Sequence, residues 1–449
     1  MSHLAPGYRR LLAMAGPIIL ANCAAPLLGL TDTAVIGHVG TAPELGAVAL
    51  ATLLFNLIYL SFGFFRMSTT AFVAQASGRD DRPEIALTVL RGIMAAVVTG
   101  AVLIAVQLPL IGIALELFGA DVSVEARVRD YFLIRIWSAP ATLTLYVLMG
   151  YLIGSAAGRA LLFSQLLLNG LNIVLDVTLA GVLGWGITGL AWGTVAAEWL
   201  TVAGVGWYVL RQLDLGEPGP TPYISGRHAL LTQLLDAGRL RQLFAVNGNI
   251  LLRTLFLLAS FAIFTDLGAR FGATVLAGNH VLLQFISFSA FFLDGFAFTT
   301  ESLTGRAFGA RRYQQFVLVV RRTFVLAAAT AALLAGLLWL AGPWIVAALT
   351  GLAEVQAAAL HYLPFCALYV LLSFGAFQLD GIFLGTSQSV SLRNASFLAT
   401  VIFIGLCWLW VPAYGNAGLW AAFTGFVVAR ALALSAYMPR LLRTLRDPG

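Results

Sequence analysis

Between Leu11 and Ile36 the chain reads LLAMAGPIILANCAAPLLGLTDTAVI, an apolar run with a single charged side chain, Asp32. A helix needs about 20 apolar residues to cross a bilayer, so this run reads as a spanning helix, and it is too long for the core of a signal peptide. The rest of the chain extends that reading. Of its 449 residues, 60% are hydrophobic and 10% charged, and the mean hydropathy is +0.90. A soluble domain carries roughly a quarter charged residues. Most of this surface must therefore face lipid.

Working outward from 13–36, further apolar runs fall near 45–68, 86–108, 131–153, 161–182 and 188–210. A second series follows near 243–265, 274–298, 323–342, 361–385, 395–412 and 418–438. The expected fold is an all-α membrane protein of twelve transmembrane helices. A stretch rich in Pro, Gly and charge predicts a cytoplasmic linker over 213–240, between lobes at 1–212 and 241–449. All 26 basic residues are arginine. With the N-terminus inside, the cytoplasmic loops hold most of them, including Arg9, Arg79, Arg159, Arg312 and Arg440. The outer loops then hold only Arg127, Arg129 and Arg270. Inner loops of membrane proteins are enriched in basic residues, so both termini are expected in the cytoplasm, with the chain in a cell inner membrane. The net charge of +6 belongs to these loops and implies no nucleic-acid partner. Cys23, Cys366, Cys407 and the five histidines are scattered without metal-ligand spacing. No metal or cofactor is expected, and no cluster at catalytic spacing points to an enzyme.

The chain also repeats itself. The shift that carries Arg10 onto Arg241 also pairs Leu45 with Leu276, Thr69 with Thr300, Tyr131 with Tyr362 and Gly154 with Gly385. After a small slip, Gly186-Ile187-Thr188-Gly189-Leu190 pairs with Gly415-Asn416-Ala417-Gly418-Leu419. Six spans per half start both halves on the same side. This predicts two parallel six-helix bundles related by a pseudo-twofold axis along the membrane normal.

Charged groups inside spans need a polar partner, water or a function, since each costs about 2.5–3.5 kcal/mol at the helix centre on insertion scales. Asp32, Asp176 and Thr194 fall at similar depth in the outer half of the first bundle, and Asn169, Asn172 and Asp176 follow one another along one helix face. Two carboxylates with three neutral partners make a candidate proton-binding cluster that would titrate as a unit. Pro26, six residues before Asp32, removes a helix hydrogen bond and could couple protonation to bending of the first helix. Asp294, Arg66 and Asp380 lie toward inner helix ends, where an ion-pair latch between the bundles is one reading and a static pair the other. Arg253 and Glu198 need partners that the sequence does not name.

The chain resembles the multidrug and toxic compound extrusion (MATE) transporters, and more closely their DinF-like branch, over nearly its whole length. The residues that carry this are Leu30-Thr31-Asp32-Thr33-Ala34-Val35-Ile36-Gly37-His38, Phe72-Val73-Ala74-Gln75-Ala76-Ser77-Gly78, Asn172-Ile173-Val174-Leu175-Asp176 and Leu379-Asp380-Gly381-Ile382-Phe383-Leu384-Gly385. The resemblance implies two lobes that open alternately to each side and exchange protons for drug-like, cationic or amphipathic molecules. It makes Asp32 the main coupling residue, gives it Asn172, Asp176 and Thr194 as partners, and brings in Tyr131 as a cavity residue. Arg253 stands near a position where the NorM-like branch carries a glutamate, which weakens a sodium site in the second lobe, while Asp380 matches an acidic position used by some relatives. The expected protein is a monomeric proton antiporter. Sodium coupling, or a flippase for an amphipathic metabolite, is the alternative.

Overall fold

A computed structural model describes residues 6–118, 122–213 and 232–446 of the chain. Its regular elements, among the described residues, are helical. They are α1 (Tyr8–Val39), α2 (Ala42–Ser61), α3 (Phe64–Gly78), α4 (Arg82–Ala105), α5 (Gln107–Phe118), α6 (Val122–Arg135) and α7 (Ala139–Gly154). There follow α8 (Gly158–Asp176), α9 (Gly186–Gln212), α10 (Ala237–Ala269), α11 (Ala273–Gly309), α12 (Tyr313–Leu349), α13 (Ala353–Gly385) and α14 (Ser389–Arg446).

Among the described residues, ten helical stretches are long and apolar enough to cross a membrane. The two expected spans at 395–412 and 418–438 run together in α14, divided at Gly415, whose φ of 57° and ψ of −135° are not helical. The 27-residue α9 falls outside the ten; its glycines and tryptophans dilute its hydropathy. Residues 214–231 of the expected linker lie outside the described residues. Its last four residues, 237–240, already belong to α10, which Asp236 caps by accepting the Arg239 amide on Oδ1 at 2.7 Å.

The chain divides into two compact units, Cys23–Phe244 and Met1–Asn22 with Ala245–Gly449. In the N-terminal unit α7 is buried along nearly its whole length and packs against α3, α4 and α9. Two glycines allow this. A Cβ at Gly150 or Gly154 would run into the carbonyls of Arg66 and Thr70. In the C-terminal unit α13 packs against α11, α12 and α14, and Gly381 and Gly385 face the carbonyls of Ala297 and Glu301. Each of these four contacts maps onto its counterpart at the shift that relates Arg10 to Arg241. Helix ends repeat too. Asp80 and Arg311 take φ of 56° and 54°, and Ala156 and Ser387 both take 57°. The amides of Asp81, Arg312, Ala157 and Gln388 close the matching helix ends on the carbonyls of Ala76, Ala307, Leu152 and Phe383. The weak sequence repeat is thus a repeat of backbone packing.

One helix departs from the expected division into halves. The first part of α1 belongs to the C-terminal unit, where Leu11 packs with Leu303 and Val319, and Ala15 with Phe296 and Ala327. Asn22 donates to the Phe291 carbonyl at 3.3 Å. From Cys23 onward α1 belongs to the N-terminal unit. Pro26 has no N–H to offer the Asn22 carbonyl, so the ladder lacks its bond at the handover, although α1 stays helical throughout.

Candidate functional site

Asp32 reaches the site from the second part of α1, one and a half turns beyond Pro26. Asp176 ends α8, immediately before a six-residue π-turn, Val177–Val182. Such widened turns recur at functional sites because they displace side chains from the regular helical positions. Both carboxyls are buried, with 1% and 0% of each residue exposed, and they lie close enough to hydrogen-bond each other through a shared proton. Gly193 on α9 gives Asp176 its room, since a Cβ there would collide with the carboxylate. Among the described residues no donor satisfies any of the four carboxylate oxygens.

The expected neutral partners gather around this pair, with one exception. Asn172 donates to Thr194 Oγ1 at 3.2 Å, and its own Oδ1 stays unpartnered. Asn169 instead donates to the Ala24 carbonyl at 2.7 Å and so ties α8 to α1. Tyr131 is fully buried and joins the cluster through a residue absent from the expected site, Arg135. One turn apart on α6, Arg135 donates to the Tyr131 hydroxyl at 2.8 Å and approaches Asp32 Oδ2 to 3.7 Å. Its guanidinium lies 5.0 Å from the Phe55 ring centroid, a cation–π contact. The separation from Asp32 is too long for a hydrogen bond, so that pair is electrostatic.

A third acid stands one turn along α9 from Thr194. Glu198 is 4% exposed and accepts a hydrogen bond from Thr142 of α7. The N-terminal unit therefore holds three buried carboxyls and one buried guanidinium in one cluster. The clue to Arg135 in the sequence was its four-residue spacing from Tyr131, and the clue to Glu198 the same spacing from Thr194.

Of the second-lobe residues, two share a cluster with a third that the sequence had not placed there, Arg430. Asp380 is held inside the C-terminal unit, where Oδ2 accepts from both Arg253 and Arg430, the latter at 3.1 Å. Arg253 thereby gains the partner that the sequence could not name. Asp294 on α11 and Arg66 on α3 stand one in each unit and are half-buried.

The sequence profile of the MatE family matches residues 17–178 and 250–409, one segment in each half. The chain is 36% identical to DNA damage-inducible protein F of Escherichia coli over 98% of its own length and 94% of that protein's. It is 30% identical to a probable multidrug resistance protein NorM of Deinococcus radiodurans, over 68% of this chain and 65% of the other. A MATE crystallised in the bent conformation superimposes with a TM-score of 0.86 over 97% of this chain and 95% of its own, at 17% identity.

Proposed function

The chain belongs to the MATE family of membrane transporters, in its DinF-like branch, and on that premise we propose that it exports drug-like organic compounds in exchange for protons. The supporting observation is the charge balance of the N-terminal unit. Three buried carboxyls face one guanidinium, and Asp32 and Asp176 lie side by side with no donor between them. Two adjacent ionised carboxylates without donors are costly in a low-dielectric interior. One proton between them removes a charge and supplies the missing hydrogen bond.

In this reading, twelve spans arise by dividing α14 at Gly415 and counting α9. They form two six-helix bundles with both termini cytoplasmic, in a cell inner membrane. A proton from outside neutralises the Asp32–Asp176 pair and loosens its hold on Arg135. The second part of α1 then bends at Pro26, and a cationic or amphipathic substrate leaves outward. The bundles reorient, and the proton leaves on the inside. A ligand drives such a cycle only through different affinities for the two states, and the presence or absence of the proton provides the difference.

Sodium coupling is the second reading. Asn172 Oδ1 and the carboxylate oxygens of Asp32 and Asp176 could face a cation together. Arg135 beside Asp32 opposes it, by adding positive charge where the ion would sit.

The test is efflux of a cationic dye into inverted vesicles under an imposed pH gradient, with and without sodium, for wild type and Asp32→Asn. Wild type is expected to respond to the pH gradient alone, and the variant to fall to the leak rate. A variant that keeps gradient-driven efflux overturns the mechanism. A strict sodium requirement in wild type moves the coupling to the second reading.

A further inference from the structure

One buried cluster of the C-terminal unit has the opposite charge balance. Arg253 on α10 and Arg430 on α14 converge on one acceptor, Oδ2 of Asp380 on α13. These side chains expose 10%, 8% and 8% of their surface, respectively. One carboxylate neutralises one guanidinium, so a full positive charge remains buried among apolar helices. Charges buried within membrane spans mark binding sites and ion paths. Among the described residues, Asp380 is the one acid that pairs with either arginine, and each guanidinium uses only Nη2 on a protein acceptor. Nε of both arginines and Oδ1 of Asp380 are buried without a partner. A guanidinium is a planar fork of five N–H donors. Two such forks, brought by different helices to one carboxylate oxygen, leave most of their donors for another planar acceptor.

We propose that Arg253 and Arg430 form an anion-binding site of the C-terminal unit, which takes the carboxylate of an organic anion in competition with Asp380. Arginine forks match carboxylates in a bidentate way that a lysine cannot reproduce. When the anion binds, it takes one arginine and Asp380 keeps the other, so that every charge in the cluster is matched. Asp380 is then an internal stand-in for the ligand, holding the two arginines in place while the site is empty. The inference widens the substrate class to compounds bearing a negative group, and it rests on the export reading only in calling that ligand a substrate.

The test is equilibrium binding of 1-pyrenebutyrate to the full chain in nanodiscs, read by fluorescence anisotropy, with a pyrenebutyl trimethylammonium cation as control. Arg430→Gln is expected to weaken binding of the carboxylate about tenfold and to spare the cation, the weight of one charge-assisted contact. Asp380→Asn removes the competitor and is expected to tighten carboxylate binding about tenfold. A gain in affinity cannot come from a damaged fold, so the second variant decides the matter if the first misfolds. The site is overturned by equal carboxylate affinity in wild type and Asp380→Asn, or by no saturable binding in either.

Repeating the titration in phosphatidylglycerol and phosphatidylcholine nanodiscs separates two sources of the anion. Equal affinities support a free organic anion. Competition by phosphatidylglycerol that disappears in Arg430→Gln overturns that choice in favour of a lipid head group at the same arginines. No pH gradient is applied, so this result and the proton-coupling result can fail independently.

Discussion

The two units carry one backbone plan and buried clusters of opposite charge balance. In both, a glycine-lined helix presses against a carbonyl ridge, at Gly150 and Gly154 in one and Gly381 and Gly385 in the other. Yet the N-terminal unit gathers three carboxyls about one arginine, and the C-terminal unit gathers two arginines about one carboxyl. At the shift that pairs these glycines, Asp32, Arg135 and Asp176 fall on Ile263, Cys366 and Cys407. In the other direction, Arg253 and Asp380 fall on Asn22 and Met149. Packing geometry has been kept where backbones touch, and charge has been rewritten where buried side chains meet. The repeat therefore accounts for the scaffold and says nothing about which half moves protons.

The comparison breaks most readily at the proposed coupling residues. Asp32→Asn and Asp176→Asn are each expected to reduce pH-gradient-driven efflux to the leak rate of empty vesicles. Asp380→Asn is expected to alter substrate affinity while efflux still requires the gradient. If it abolishes gradient-driven efflux as Asp32→Asn does, the units do not differ in role. The shared scaffold gives a second test. Gly150→Val and Gly381→Val each push a side chain into a backbone carbonyl, and each should cost about 3 kcal/mol of stability, the upper range for overpacking. Matched losses of thermal midpoint in detergent would support equivalence, and a loss in only one would end it.

Smaller effects sharpen the picture within the N-terminal unit. Thr142→Val leaves Glu198 without its donor and should destabilise by about 1–3 kcal/mol in the same unfolding assay. Asn169→Ala removes one amide-to-carbonyl bond between α8 and α1, worth about 1 kcal/mol. It should also leave gradient-driven efflux closer to wild type than Asn172→Ala does, because Asn172 contacts Thr194 at the carboxyl pair and Asn169 faces Ala24.

Much of this was legible in the sequence because lipid imposes a simple code. Long apolar runs identified the helices, and a constant offset exposed the duplication. Burial depth, counted along each helix, was enough to bring Asp32, Asp176, Asn172 and Thr194 together. What escaped depended on how helices are rotated about their own axes. Arg135 was visible as a charge within a span, but nothing local says that α6 turns it toward Asp32 rather than toward Asp294 or solvent. Arg253 likewise waited for Asp380 and Arg430, which stand three and four helices further along the chain. Asn169, in line with Asn172 by periodicity, turned to a backbone carbonyl because α1 passes beside it.

The divided allegiance of α1 bears on how the molecule is made. Leu11 and Ala15 leave the ribosome roughly 300 residues ahead of their neighbours Leu303, Val319 and Ala327. During that interval the start of α1 can sit in the bilayer but cannot finish its own packing. Biogenesis of the C-terminal unit therefore closes on a segment made long before the rest of that unit, and a ribosome halted in the linker would leave that helix half-assembled.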